Sequence, residues 1–248
     1  MGRHFNDIFI GTSGWSYAHW KGPFYPQDLP DERLLDYYAG HFRSVEINSS
    51  FYHLPQPETL AHWRTATPAN FRFTAKASRY ITHMKKLREP AQSLRVFLDR
   101  IGLLGNKLGV ILFQLPPHWR CNTARLAAFL EALDDGFRYA FEFRDRSWLN
   151  PQTLQLLSRH DAAFCIYELE GFTTPLEVTT DLVYVRLHGP NGAYQGNYSN
   201  AALSVWARTF REWSSRGRSV HCYFDNDQFG FAAANARQMV NILRHQKS

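Results

Sequence analysis

Apolar and polar positions alternate along eight short runs of this chain, at 8–12, 44–49, 71–76, 108–114, 138–144, 162–167, 182–188 and 219–225. Alternation with period two predicts β-strands. Between these runs the apolar residues shift to helical spacing. Leu94, Phe97, Leu98, Ile101 and Leu104 form one stripe, closed by Gly105. Leu126, Phe129, Leu130 and Leu133 form another behind the cap candidates Asn122 and Thr123. Asn150 followed by Pro151 predicts the start of a helix carrying Leu154 and Leu157. Leu203, Trp206, Phe210 and Trp213 mark a helix ending near Gly217, and Ala236, Met239, Val240 and Leu243 mark the last.

Parallel strands need crossover connections, and right-handed crossovers place helices on the outside. The order therefore predicts an α/β fold, a single TIM-type (β/α)8 barrel occupying 1–248. One unit departs from the pattern: residues 168–181 carry no helical stripe, so an irregular connection replaces the helix between the sixth and seventh runs. An open doubly wound sheet is the alternative architecture. No linker, repeat or low-complexity tract divides the chain.

The strand runs share a second feature, polar residues at alternate positions near their C-terminal ends. These are Glu46 and Asn48, Thr74 and Lys76, Gln114, Glu142 and Arg144, Arg186 and His188, and Asp225. Parity sends each pair to one face, while Val45, Ile47, Phe141 and Phe143 point to the other. Unpartnered buried charge is costly, so this repeated ending predicts a shared pocket at the C-terminal face of the barrel. The loop 13–30 brings Trp15, Tyr17, Trp20, Phe24 and Tyr25 toward the same face, and a second loop rich in Gly, Asn and Tyr spans 189–200.

Composition narrows the classes. Hydrophobic residues at 44% supply a large core and charged residues at 20% exclude a disordered chain. The net charge of +6 and a pI near 9.3 favour anionic partners, although the densest basic runs, 85–88 and 216–218, read as solvated faces. Cys121, Cys165 and Cys222 lack CxxC spacing, which excludes a zinc knuckle or a thioredoxin-type site. The N-terminal apolar stretch is too short for a signal peptide and no run reaches membrane-spanning length. A cytoplasmic protein without a membrane partner is the expectation; oligomeric state is not legible.

Seven motifs occur in order: GTSGWSYAHWKGPFYP, VEINSSFYHLP, FTAKASRYITH, FQLPP, FEFRDRSW, VRLHG and YFDND. Together they resemble the YecE-like family, catalogued as a domain of unknown function, over about 8–241. The resemblance implies a TIM-type barrel and brings a suggested similarity to barrel nucleases that act at abasic sites. No established activity comes with it.

The residues themselves leave several chemistries open. In the leading reading an enzyme acts on a phosphate-bearing ligand, an anionic small molecule or nucleic acid. Glu46 and Glu142 exchange protons with His188 assisting, Lys76, Arg144 and Arg186 hold the anion, and Asn48, Gln114 and Asp225 orient it. Trp15, Tyr17 and Trp148 stack on rings of the ligand. A hydrolase or phosphodiesterase-like activity belongs to this reading. The alternatives are a nucleic-acid-binding module without catalysis and a sugar-directed barrel enzyme using the carboxylate pair. No cofactor is predicted. A single divalent metal on Glu46, Glu142, His188 and Asp225 stays open, although the nearby cations oppose it.

Overall fold

The structure, a computed structural model, describes residues 8–245. Nine strands run in chain order: β1 (Ile8–Thr12), β2 (Ser44–Ile47), β3 (Arg72–Lys76), β4 (Leu108–Leu115), β5 (Tyr139–Phe143), β6 (Ala163–Leu169), β7 (Phe172–Thr173), β8 (Leu182–Leu187) and β9 (Ser219–Phe224). Eight of them pair in parallel in the order β1-β9-β8-β6-β5-β4-β3-β2. The helices are α1 (Leu34–His41), α2 (Ser49–Tyr52), α3 (Pro57–Thr65), α4 (Pro90–Ile101), α5 (Thr123–Leu130), α6 (Pro151–Arg159), α7 (Asn200–Ser215) and α8 (Phe231–His245). The predicted stripes are the buried faces: Leu94, Phe97, Leu98 and Ile101 on α4, and Leu203, Trp206, Phe210 and Trp213 on α7. Asn122 and Asn150 cap α5 and α6 by accepting from Arg125 N and Thr153 N.

The departure between β6 and β8 is a tight hairpin. β7 pairs antiparallel with the end of β6, Glu168 opposite Thr173, and the chain then returns along β6. Threonines take the place of a helix there. Thr174 Oγ1 accepts from Tyr167 N at 3.0 Å and Thr179 Oγ1 accepts from Phe164 N at 2.9 Å.

Two apolar layers follow from strand parity. The larger lies between strands and helices and includes Val45, Ile47, Phe73, Phe113, Phe141 and Phe143. The smaller fills the barrel interior with Val110, Leu112, Ala140, Ala163, Cys165, Leu182, Tyr184 and Tyr223. The charged strand ends rest on this inner layer.

The barrel closes between β1 and β2 without a full ladder. A bridge pairs Ser13 with Glu46, and Gly14 N donates to Glu46 O at 2.8 Å. Below it the Tyr38 hydroxyl from α1 stands in for the missing ladder, accepting from Thr12 N at 2.9 Å and donating to Ser44 O at 3.1 Å. Tyr38→Phe leaves the Thr12 amide without this partner, and is expected to lower stability by about 1–3 kcal/mol in urea denaturation. A loss below about 0.5 kcal/mol would mean that the seam does not depend on this hydroxyl. No helix among the described residues is long and apolar enough to cross a membrane.

Candidate functional site

Arg186 rises from β8 into the barrel and is 1% exposed. Its Nη2 donates to Glu46 Oε1 at 2.7 Å, to Asp225 Oδ2 at 3.1 Å and to Ser13 Oγ at 3.1 Å. Its Nη1 donates to Glu142 Oε2 at 2.8 Å and lies 3.5 Å from Gln114 Oε1. One guanidinium thus gathers carboxylates from β2, β5 and the end of β9. Planar, delocalised charge with forked donors suits this better than an ammonium would.

The carboxylates are tied a second time. Glu46 accepts from Ser13 Oγ on its Oε1 and from Tyr184 Oη on its Oε2, the latter at 2.5 Å. The Ser13 hydroxyl is fully engaged, since it also accepts from Asn48 Nδ2 at 2.7 Å. Glu142 accepts from Arg144 Nε on its other oxygen. Burial alone would raise the Glu142 carboxyl, but Arg144 and Arg186 overturn this and hold it well below the usual carboxylate range. Burial likewise opposes ionisation of Asp225, and Arg186 and His188 win, lowering it.

His188 completes the ring. Arg144 Nη2 lies 2.9 Å from its Nε2, and a guanidinium can only donate. Nε2 is therefore the acceptor, and the proton sits on Nδ1, which donates to Asp225 Oδ2 at 3.0 Å. Tyr194 from the loop after β8 stands edge-on over the imidazole, ring centroids 5.5 Å apart.

Lys76 is different. Its Nζ makes no hydrogen bond or ion pair among the described residues and lies 4.5 Å over the Phe51 ring. Burial lowers its pKa to about 8, with Arg186 adding to the effect against the pull of Glu142, Glu46 and Asp225. His83 lies close by, its ring 5.0 Å from Phe51. Burial, then Lys76, Arg79 and Arg144, push His83 down to about 4. Three cations against three carboxylates balance in sum but not in space. The carboxylates surround Arg186, and the β3 side of the mouth stays positive.

The structure thus gathers Glu46, Asn48, Gln114, Glu142, Arg144, Arg186, His188 and Asp225 into one network, with Lys76 beside it. Several expectations are corrected. Trp148 does not face the mouth. After β5 the chain makes a 3-10 turn over Arg146–Trp148, and the indole is buried outside the barrel, stacked on Phe143 and donating to Trp119 O at 2.7 Å. Trp20, Phe24 and Tyr25 are also buried, packed on one another and on α1. From that loop Trp15 and Tyr17 remain partly exposed, beside the mouth. Arg186 does not stand open to an anion, because carboxylates occupy Nη1 and Nη2, and Nε, without a hydrogen-bond partner among the described residues, is buried. It also fills the space among Glu46, Glu142 and Asp225, so those donors do not suit a divalent ion, and no group of three or more His, Cys, Asp or Glu among the described residues is arranged to hold one. Ser13, Tyr184, His83 and Tyr194 belong to the site and were not singled out by sequence. Tyr184 was within reach, since it lies two residues before Arg186 on the same strand face.

Comparisons with known proteins agree on the fold. The UPF0759 protein YunF of Bacillus subtilis (strain 168) is 28% identical over 270 residues, spanning 95% of this chain and 94% of that protein. The UPF0759 protein YecE of Escherichia coli (strain K12) is 34% identical over 142 residues, 55% of this chain and 48% of its own length. The crystal structure of a DUF72 family protein from Thermotoga maritima MSB8 superposes with a TM-score of 0.86 at 29% identity, covering 96% of this chain and 99% of that one. A DUF72 family protein from Enterococcus faecalis V583 gives 0.82 at 24% identity, with 97% of each chain covered, a likeness of fold alone. The family model described as "Protein of unknown function DUF72" matches residues 9–248, and the chain belongs to that family.

Proposed function

We propose that the barrel mouth binds a phosphate-bearing ligand between Lys76 and Arg144, and that His188 moves a proton on it. The observation that carries this reading is the half-buried Lys76 ammonium, which has no acidic partner among the described residues and lies on the positive side of the mouth with Arg79 and Arg144. A ligand anion supplies the missing counter-charge. His188 is oriented by Asp225 and presents Nε2 to Arg144; an anion drawing Arg144 toward itself leaves that nitrogen with only the long 3.4 Å contact to Arg186 Nη1, so that it can act as a base. Glu46 and Glu142 are fully buried and already accept from guanidinium groups. In this reading they fix Arg186 and Arg144 and do not exchange protons. That weakens a glycosidase-like alternative, which needs one protonated carboxyl.

A small ligand fits better than a long nucleic acid. In the densest basic runs Lys85 pairs with Glu89 at 2.9 Å and Arg216 pairs with Glu212 at 2.7 Å, which leaves less free charge for a polyanion. Affinity falling steeply with salt for oligonucleotides but not for small phosphates would reverse that preference.

Titration calorimetry with inorganic phosphate and phosphate monoesters tests the reading. Lys76→Met is expected to weaken binding by about tenfold or more. Wild-type affinity is expected to fall as pH rises through about 8, where Lys76 loses its proton, and Lys76→Arg is expected to hold affinity past that point. Phosphate binding that ignores both substitutions and pH would refute the assignment.

A further inference from the structure

Next to the charged mouth lies a cleft of about 570 Å³, a size suited to a small organic ligand. Its chemistry is the reverse of the β3 side. Trp15 and Trp63 form an aromatic wall, edge to face with centroids 5.0 Å apart, and Tyr52, 62% exposed, lines it as well. Asp31 and Glu32 lie at its edge, Asp31 also paired with Lys21 at 2.8 Å. No lysine or arginine is among the described residues that line it. Asn48 and His62 also stand on its wall, the Asn48 Oδ1 buried and without a hydrogen-bond partner among the described residues. The cleft therefore offers aromatic faces, with the carboxylates of Asp31 and Glu32 as acceptors.

The helix α2 joins the two halves. Ser49 and Tyr52 line the cleft, Ser50 Oγ donates to Lys76 O at 2.7 Å, and the Phe51 ring lies under the Lys76 ammonium. On the other side Asn48 reaches Ser13, and through it Glu46 and Arg186. A ligand with its phosphate at Lys76 and Arg144 has its remainder within reach of this cleft. Aromatic walls favour a ring, by stacking or by contact with sugar C–H faces, and the acceptors favour a ring bearing N–H or O–H donors.

We infer that the cleft of Trp15, Tyr52 and Trp63 is a second subsite, and that the ligand is a phosphorylated ring compound whose donor-bearing ring, sugar or nucleobase, sits there. This rests on the phosphate reading of the mouth and adds the identity of the attached group. Calorimetry at pH 7.5 with inorganic phosphate, ribose 5-phosphate, AMP and adenosine separates the parts. AMP or ribose 5-phosphate is expected to bind at least about tenfold more tightly than inorganic phosphate, in keeping with one stacked ring. The better of the two identifies the ring. Tyr52→Ala, at an exposed position, and Trp63→Ala, with the fold checked by circular dichroism, are expected to remove that gain and leave phosphate affinity unchanged. Equal affinity for phosphate and both ring compounds, or a gain that survives both substitutions, would overturn the subsite while the mouth reading stands. Phosphate that fails to bind while adenosine binds in a Tyr52-dependent way would overturn the mouth reading and keep the cleft. Absence of binding by all four would end both.

Discussion

Arg186→Met is expected to lower stability by about 3–5 kcal/mol, the range for stripping one partner from a buried ionic cluster, and the melting temperature by roughly 6–20 °C. The reason is the set of groups it leaves. Glu46 and Glu142 are fully buried, and without the guanidinium their negative charge has Ser13, Tyr184 and Arg144 as its remaining support. Lost packing is not the main effect, since methionine fills much of the same volume. pH separates the two explanations. In the wild type the Glu142 and Asp225 carboxyls are held low, so their contribution is fully present above the unfolded carboxylate range, declines as pH falls below that range, and is gone once pH has fallen through their lower folded values. In the variant the stranded carboxylates gain from protonation, so the gap between the two proteins is expected to narrow from pH 7 to pH 4. Adding Glu46→Gln and Glu142→Gln to Arg186→Met is expected to recover part of the loss at pH 7. A gap that does not change with pH would show that the cost is one of shape.

The parts of this molecule legible in the sequence are those governed by local periodicity. The helix stripes of α4 and α7 and the caps Asn122 and Asn150 depend on residues three or four apart, and the structure has them in place. Strand parity reached further, because residues i and i+2 share a face wherever the strand goes. That put Glu142 with Arg144 and Arg186 with His188 on the inner face. What parity cannot convey is who touches whom. Arg186 read as an anion clamp because its three carboxylates lie 39 to 140 residues away and meet it only when the barrel closes. Trp148 read as a mouth residue because it follows closely on the C-terminal end of the fifth strand run; the turn capped by Asp145 sends it outward instead. Trp20, Phe24 and Tyr25 read as a loop at the rim, yet their apolar area is spent covering α1. Ser13 gave no signal, since its role exists only across the seam, 33 residues from Glu46.

That seam is the subject of the second large effect. Gly11→Ala is expected to destabilise the protein by about 2–4 kcal/mol and to disturb the charged network above it. A Cβ at Gly11 would meet the Ser44 carbonyl oxygen at 2.1 Å, its carbon at 2.8 Å and the Tyr38 hydroxyl at 3.1 Å. Two of these are backbone atoms of β2, so no side-chain rotation relieves the clash and the strands must part. Parting them pulls Thr12 from Tyr38 and Ser13 from Glu46, the contacts that close the barrel and brace its first carboxylate. The Thr12 amide is expected to exchange with solvent faster in the variant by more than the global loss of stability accounts for, and phosphate affinity is expected to fall with it. Gly40→Ala is the control. That position lies in α1 with nothing within 4 Å of the added carbon, and alanine there is expected to leave stability unchanged or raise it by up to about 1 kcal/mol. If Gly11→Ala proves as mild as Gly40→Ala, β1 and β2 approach less closely than the clash at Ser44 requires, and Ser13 needs no closed seam to reach Glu46.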